Sequence, residues 1–161
     1  MRKHLPPLRK ITGREATRLK RNRTTALLFE GKPVRFYRIA GQTIMTGVTD
    51  YSGIKHVYIA RLDAKNVFRD FGSALLSKYL GGVYISSIGA GSGKTRLGIT
   101  RLFINEAFAH AIKMKIDRVT ITANNKQLRD YYARLGFRFE DPRFPFNGFL
   151  PVKPATRRRN Q

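Results

Sequence analysis

Val83-Tyr84-Ile85-Ser86-Ser87-Ile88 runs directly into Gly89-Ala90-Gly91-Ser92-Gly93-Lys94-Thr95-Arg96-Leu97-Gly98, and the reading of this junction decides the fold. The first six residues are strand formers, and the next ten are too rich in glycine to be anything but a loop. Downstream, Ile104, Ala107, Phe108, Ala111 and Ile112 recur at helical spacing and predict a helix with one buried face. Val119, Ile121 and Ala123 then alternate with Thr120 and Thr122, the period of a strand. Asn124-Asn125 reads as a helix start, Leu128, Tyr131, Tyr132 and Leu135 as its apolar stripe, and Gly136 as its stop. Phe137-Arg138-Phe139 reads as a last short strand. A glycine loop between a strand and a helix turns free N–H groups and the positive helix end toward one ligand position, which makes an anion cradle.

Two loops compete for that cradle. Gly89 to Thr95 looks like the phosphate loop G-x-x-x-x-G-K-[ST], but Ile88 stands where its first glycine belongs. No later strand ends in an Asp suited to magnesium, and 66 residues after Thr95 are too few for the sheet such nucleotide triphosphatases build. The second candidate rests on Asn125-Lys126-Gln127-Leu128-Arg129-Asp130-Tyr131-Tyr132-Ala133-Arg134-Leu135-Gly136-Phe137. That segment resembles the N-x-x-A-x-x-x-Y-x-x-x-G-F signature of the GNAT N-acetyltransferase superfamily, with Leu128 in place of the alanine. The pyrophosphate loop of that family, [RQ]-x-x-G-x-[GA], falls on Gly93-Lys94-Thr95-Arg96-Leu97-Gly98 and keeps only its last glycine. Arg96 replaces the glycine that lets the backbone approach the pyrophosphate. The resemblance covers residues 83–140, roughly a third of the chain.

The resemblance implies an α/β (α+β) fold, a mixed and mostly antiparallel central sheet flanked by helices. It also implies direct transfer of an acetyl group from acetyl-CoA to an amine, with no metal. The strand Tyr84, Ile85, Ser86, Ser87 and Ile88 would offer a backbone N–H to the thioester oxygen, and Lys94, Thr95, Arg96, Leu97 and Gly98 would hold the pyrophosphate. Asn125 would bond the pantetheine arm, and Tyr132 would protonate the departing thiolate. Each residue has a structural alternative. Tyr132 lies on the apolar stripe of its helix and Asn125 can simply cap it. Lys94 and Arg96 can be solvated charges. His4, His56 and His110 are scattered, and no acid lies on 83–88 to serve as a base.

The chain has 161 residues, 42% of them apolar, enough for one domain with a real core. No run approaches the ~18 apolar residues of a membrane helix, and the N-terminus lacks the apolar segment of a secretory signal, so a soluble cytoplasmic protein is expected. The absence of cysteine excludes disulfides, thiolate nucleophiles and Cys-based zinc sites. Net charge is +22. Residues 1–23 hold nine basic residues and one acidic, and residues 151–161 hold four basic and none acidic. The expected organisation is a basic arm and helix over 1–23, a single domain over 24–150 and a basic tail over 151–161. Arg14, Arg18, Lys20, Arg21 and Arg23, with Arg157, Arg158 and Arg159, are the expected contacts to a polyanion such as RNA, DNA or a ribosome. Two function classes follow. One is an N-acetyltransferase whose acceptor is a protein or nucleic-acid-associated amine, and the other is a catalytically degenerate relative serving as a basic nucleic-acid-binding or assembly protein.

The front half reads less regularly. Thr12-Gly13-Arg14-Glu15 resembles a capping box opening a helix that runs to about Arg21, with Ala16 and Leu19 as its only apolar patch. Thr24 to Glu30 and Val34 to Ile39 read as paired strands, and Gln42 to Thr49 with His56 to Leu62 as a second hairpin. Asp63 reads as the cap of a helix carrying Val67, Phe68, Phe71, Leu75, Leu76 and Tyr79. The GNAT family places one strand and two helices before its antiparallel strands, and this reading puts strands first. Residues 141–151, rich in Pro and Phe, read as an extended wrap over the core.

Overall fold

The computed structural model describes residues 5–28, 32–89 and 98–153. Elements follow in the order β1 (Leu8–Ile11), α1 (Gly13–Lys20), α2 (Arg23–Leu28), β2 (Val34–Ile39), β3 (Gln42–Tyr51), β4 (Ile54–Leu62), β5 (Phe68–Tyr79) and β6 (Gly82–Gly89). Then come α3 (Thr100–Met114), β7 (Arg118–Thr122), α4 (Lys126–Arg134) and β8 (Asn147–Pro151). The eight strands form one sheet in the order of the sequence. Pairing is antiparallel for β1–β2, β2–β3, β3–β4 and β7–β8, and parallel for β6–β7. The parallel pair needs a crossover connection, and α3 lies on it. One strand and two helices thus precede the antiparallel strands, the order the family resemblance implies.

By its internal contacts the chain divides into two compact units, one of residues 1–75 with 87–103, the other of 76–86 with 104–161. In the first, Ile11, Leu19, Phe36, Met45, Ala60 and Phe68 form a buried cluster, with Ala16, Val34, Tyr58 and Leu62 packed on it. Ile11 and Leu19 come from the segment 1–23, expected as a basic arm and helix outside a domain over 24–150. That expectation is corrected: β1 pairs with β2 from Leu8↔Ile39 to Ile11↔Phe36, and α1 drops Leu19 into the core. Two hairpins turn on residue pairs with positive φ, Ala40-Gly41 and Ser52-Gly53, the geometry that matches the strand twist. The α1 helix is found where its capping sequence predicts it, yet Thr12 makes no side-chain cap bond, and Glu15 pairs with Arg38 of β2 instead.

Two elements differ in kind from their sequence reading. Residues 23–28 are helical rather than extended, because Asn22 Oδ1 accepts the Thr24 N–H at 2.9 Å and offsets the β-branched pair Thr24-Thr25. The predicted helix over 67–79 is the strand β5. Asp63 does act as a local cap, its Oδ1 accepting the N–H groups of Lys65 and Val67 at 2.9 and 3.0 Å, but it closes the β4–β5 turn. Asn22 Nδ2 donates to Asn66 O at 2.9 Å, and the Phe68 N–H donates to Thr24 Oγ1 at 3.0 Å, so that turn is pinned to the start of α2.

In the second unit, Val83, Ile85, Ala107, Ala111, Val119, Ile121, Tyr132 and Phe137 are buried. Of the predicted α3 stripe, Ile112 is 54% exposed. Residues 137–139 form no strand of their own but one bridge, Arg138↔Phe149, against β8. The expected wrap over 141–151 contains β8, paired to β7 from Arg118↔Pro151 to Thr122↔Asn147.

Candidate active site

In the second unit the parallel register runs Val83↔Val119, Tyr84↔Thr120 and Ile85↔Ile121. Val83 and Ile85 point into the core and Tyr84 to the other face, where it stays half-buried and meets Tyr79 edge-on at 5.0 Å. Among the described residues the ladder stops at Ile85↔Ile121 although both strands continue. Asn125 lies three residues beyond Thr122, the last residue of β7. It is extended (φ −158°) and its Oδ1 accepts the Leu128 N–H at 2.8 Å, which starts α4. The capping alternative for Asn125 is therefore realised, and its exposed amide Nδ2 remains as a donor.

Tyr132 is 6% exposed on the inner face of α4, its ring 5.7 Å from Tyr131 and 6.1 Å from Phe137. Burial pushes its phenol above the usual tyrosine value, and the neighbouring Tyr131 and Tyr84 add to the rise. A buried tyrosine ordinarily finds a hydrogen-bond partner. Among the described residues no bond to the Tyr132 hydroxyl is formed, and the Tyr131 hydroxyl is buried without a partner. Three phenols, Tyr84, Tyr131 and Tyr132, thus share one electrostatic neighbourhood. The sequence motif singled out Tyr132. It did not single out Tyr131, whose signal was only its place on the same apolar stripe.

In the first unit, Gly98 leads into α3 with φ +67°, a conformation that favours glycine. Its carbonyl accepts both the backbone N–H of Arg101 at 3.1 Å and Arg101 Nε at 3.0 Å, while Arg101 Nη2 donates to Pro6 O at 2.7 Å. The first turn of α3 carries no acidic residue of its own to offset the positive end of the helix. Lys94, Thr95, Arg96 and Leu97 lie outside the described residues, as do Arg157, Arg158 and Arg159. Arg14, Arg18, Lys20, Arg21 and Arg23 are all exposed. Sequence reading also passed over Glu106, a buried carboxylate at 8% exposure on α3, because it hides within an apolar helical stripe. Among the described residues no group of three His, Cys, Asp or Glu side chains could hold a metal, and no helix is long and apolar enough to cross a membrane.

No protein-family model matches the chain, and no curated protein sequence does. Solved structures do. The KacTA–DNA complex aligns over 91% of this chain and 92% of its own, at 15% identity and a TM-score of 0.51. An acetyltransferase of the GNAT family from Staphylococcus aureus Mu50 aligns over 63% and 70%, at 14% identity and 0.48. A nourseothricin acetyltransferase aligns over 93% and 100%, at 10% identity and 0.47. Of these three the first passes 0.5, and at such identities the likeness concerns the fold.

Proposed function

We propose that this chain, whose mixed, mostly antiparallel fold is GNAT-like, transfers an acetyl group from acetyl-CoA to an amine. The observation that carries the reading is Tyr132, buried on α4 beside Tyr84 of β6 with its hydroxyl left unbonded among the described residues. Acetyl-CoA supplies an activated thioester, whose thiolate the amine displaces directly. The strand Tyr84 to Ile88 offers a backbone N–H where negative charge develops on the carbonyl oxygen. Tyr132 gives its proton to the leaving sulfur, and the proton that the attacking nitrogen sheds as the amide forms restores the phenol by way of solvent. A phenol held above the usual tyrosine value stays protonated at neutral pH, and the thiolate, conjugate base of a thiol of pKa ~8.5, accepts that proton as its bond to carbon breaks. Gly98 and the start of α3, with Lys94, Thr95, Arg96 and Leu97, hold the pyrophosphate, and Asn125 Nδ2 meets the pantetheine arm. Among the solved relatives, AtaTR was crystallised with acetyl-CoA and YhbS of Escherichia coli with CoA.

The acceptor is a protein or nucleic-acid-associated amine, reached through the basic surface that a net charge of +22 creates. Arg96 in place of a loop glycine favours a second reading, a non-catalytic relative that binds nucleic acid. Calorimetry of acetyl-CoA on protein freed of nucleic acid separates them. Binding with a Kd in the micromolar range, together with CoA release in the presence of a small free amine, supports the enzyme. No heat at millimolar acetyl-CoA leaves only the second reading.

A further inference from the structure

Between β1, α1 and β2 lies an open groove of about 380 Å³ within the first unit. Lys10 from β1, Lys20 from α1 and Arg35 from β2 line it, with the hydroxyl-bearing Thr12 and Thr17, and among the described residues that line it there is no carboxylate. The carboxylate of α1, Glu15, is turned to Arg38 instead. Lys10, Lys20 and Arg35 are all exposed, as are Arg9, Arg14, Arg18 and Arg21 around them. The same segment delivers Ile11 and Leu19 to the core, so these cations are carried on a strand and a helix anchored by packing rather than on a loose arm.

Concentrated like charges on a fixed frame repel one another and are relieved by an anion. The cations continue past the groove along α1, which suits a repeating anion better than a single phosphate. The aromatic ring lining the groove, Phe36, is 1% exposed and belongs to the core, so no base can stack there as single strands require. Among the described residues of this unit the large exposed hydrophobic is Ile54, on the β3–β4 hairpin, and no apolar rim accompanies the cations as membrane insertion demands. We propose that this groove binds the phosphate backbone of a double-helical nucleic acid, with Lys10, Lys20 and Arg35 as its contacts. The proposal rests on the reading that the partner is a polyanion, and it moves the contact from the chain ends to a built surface.

The test is a salt titration of full-length protein binding to an RNA stem, a DNA duplex of the same length and the matching single strand. Three variants accompany the wild type: Lys10→Gln/Lys20→Gln/Arg35→Gln, Lys20→Gln alone, and Arg157→Gln/Arg158→Gln/Arg159→Gln. Each phosphate contact contributes about 0.9 to the slope of log K against log salt on a duplex. The groove triple is expected to lower the slope by roughly two to three and Lys20→Gln by about one, with acetyl-CoA binding unchanged. Preference for the RNA stem or for the DNA duplex supports the proposal either way and names the source. If the tail variant flattens the slope and the groove variants do not, the groove is overturned while the polyanion reading stands. Tighter binding of the single strand overturns the double-helix assignment. Wild-type protein that binds none of the three at physiological salt sinks the polyanion reading and the groove together. Circular dichroism of the triple checks its fold, and the single variant carries the test if the triple is unfolded.

Discussion

The rings of Tyr131 and Tyr132, adjacent on α4, lie 5.7 Å apart at a tilt of 52°, yet their hydroxyls call for opposite outcomes when deleted. Tyr131 Oη is buried without a partner, a desolvated group that contributes nothing in return. Tyr131→Phe is therefore expected to leave thermal stability unchanged or raise it slightly. Tyr132→Phe keeps the same ring packing but removes the proposed acid, so turnover should fall roughly 10²-fold or more while acetyl-CoA binding holds. Full activity in Tyr132→Phe, or an equal loss in both variants, would reject Tyr132 as the acid and leave it a core residue.

The raised Tyr132 phenol has a signed consequence for pH. Its proton is held more tightly in the folded than in the unfolded chain, so the stability it contributes is complete below ~10 and is lost as pH rises toward the higher folded value. Ultraviolet titration of tyrosinate should show one phenol ionising later than the exposed ones, absent in Tyr132→Phe. If that late phase survives the substitution, the raised value belongs to another residue.

Gly98 joins backbone strain to the proposed cofactor loop. A Cβ there would meet Arg101 Nε at 2.9 Å, at a φ that side chains rarely adopt. Gly98→Ala should cost about 1 kcal/mol of stability through the backbone alone. Gly98→Asp adds negative charge where a pyrophosphate is proposed to sit, and acetyl-CoA affinity should fall at least ~tenfold. An affinity unchanged in a folded Gly98→Asp protein removes the loop from the cofactor site, and ATP binding in its place would revive the phosphate-loop reading.

The later half of the fold was legible because each element there has a clean period and a chemical stop. Asn125 caps α4 and Gly136, at φ +104°, ends the run, as their residue types predict. The strand β5 was not legible, for a physical reason. Its buried residues Gly72, Ala74 and Leu76 alternate properly, but Phe71 and Gly72 are buried in succession, and this phase shift sets Phe68, Phe71, Leu75 and Leu76 at spacings that imitate a helix. In α2 the β-branched Thr24 and Thr25 favour the extended reading of residues 24–30, and in the fold the Asn22 cap outweighs them. At the candidate site the motif could single out Tyr132 and Asn125. It could not show that Asn125 spends its acceptor on a cap, because a cap and a ligand contact use the same atom type.

The basic beginning of the chain decides how far the protein can be trimmed. On charge alone, residues 24–150 should make a self-sufficient fragment that keeps acetyl-CoA affinity. The sheet contradicts this at both ends. Removing 1–23 takes away β1 and the buried Ile11 and Leu19. Stopping at 150 removes Pro151, paired with Arg118, and Val152, which is buried and whose N–H donates to Asp117 O at 2.8 Å. Fragment 24–150 is therefore expected to show no cooperative melt, whereas 5–153 should melt like the full chain. Leu19→Ala isolates the packing from the charge. A leucine truncated in a buried cluster costs about 2–5 kcal/mol, against less than ~0.5 for Arg18→Ala on the exposed face beside it. Urea unfolding of the two variants measures the difference. Equal midpoints would mean that α1 is only laid on the surface, and the segment would return to being a dispensable arm.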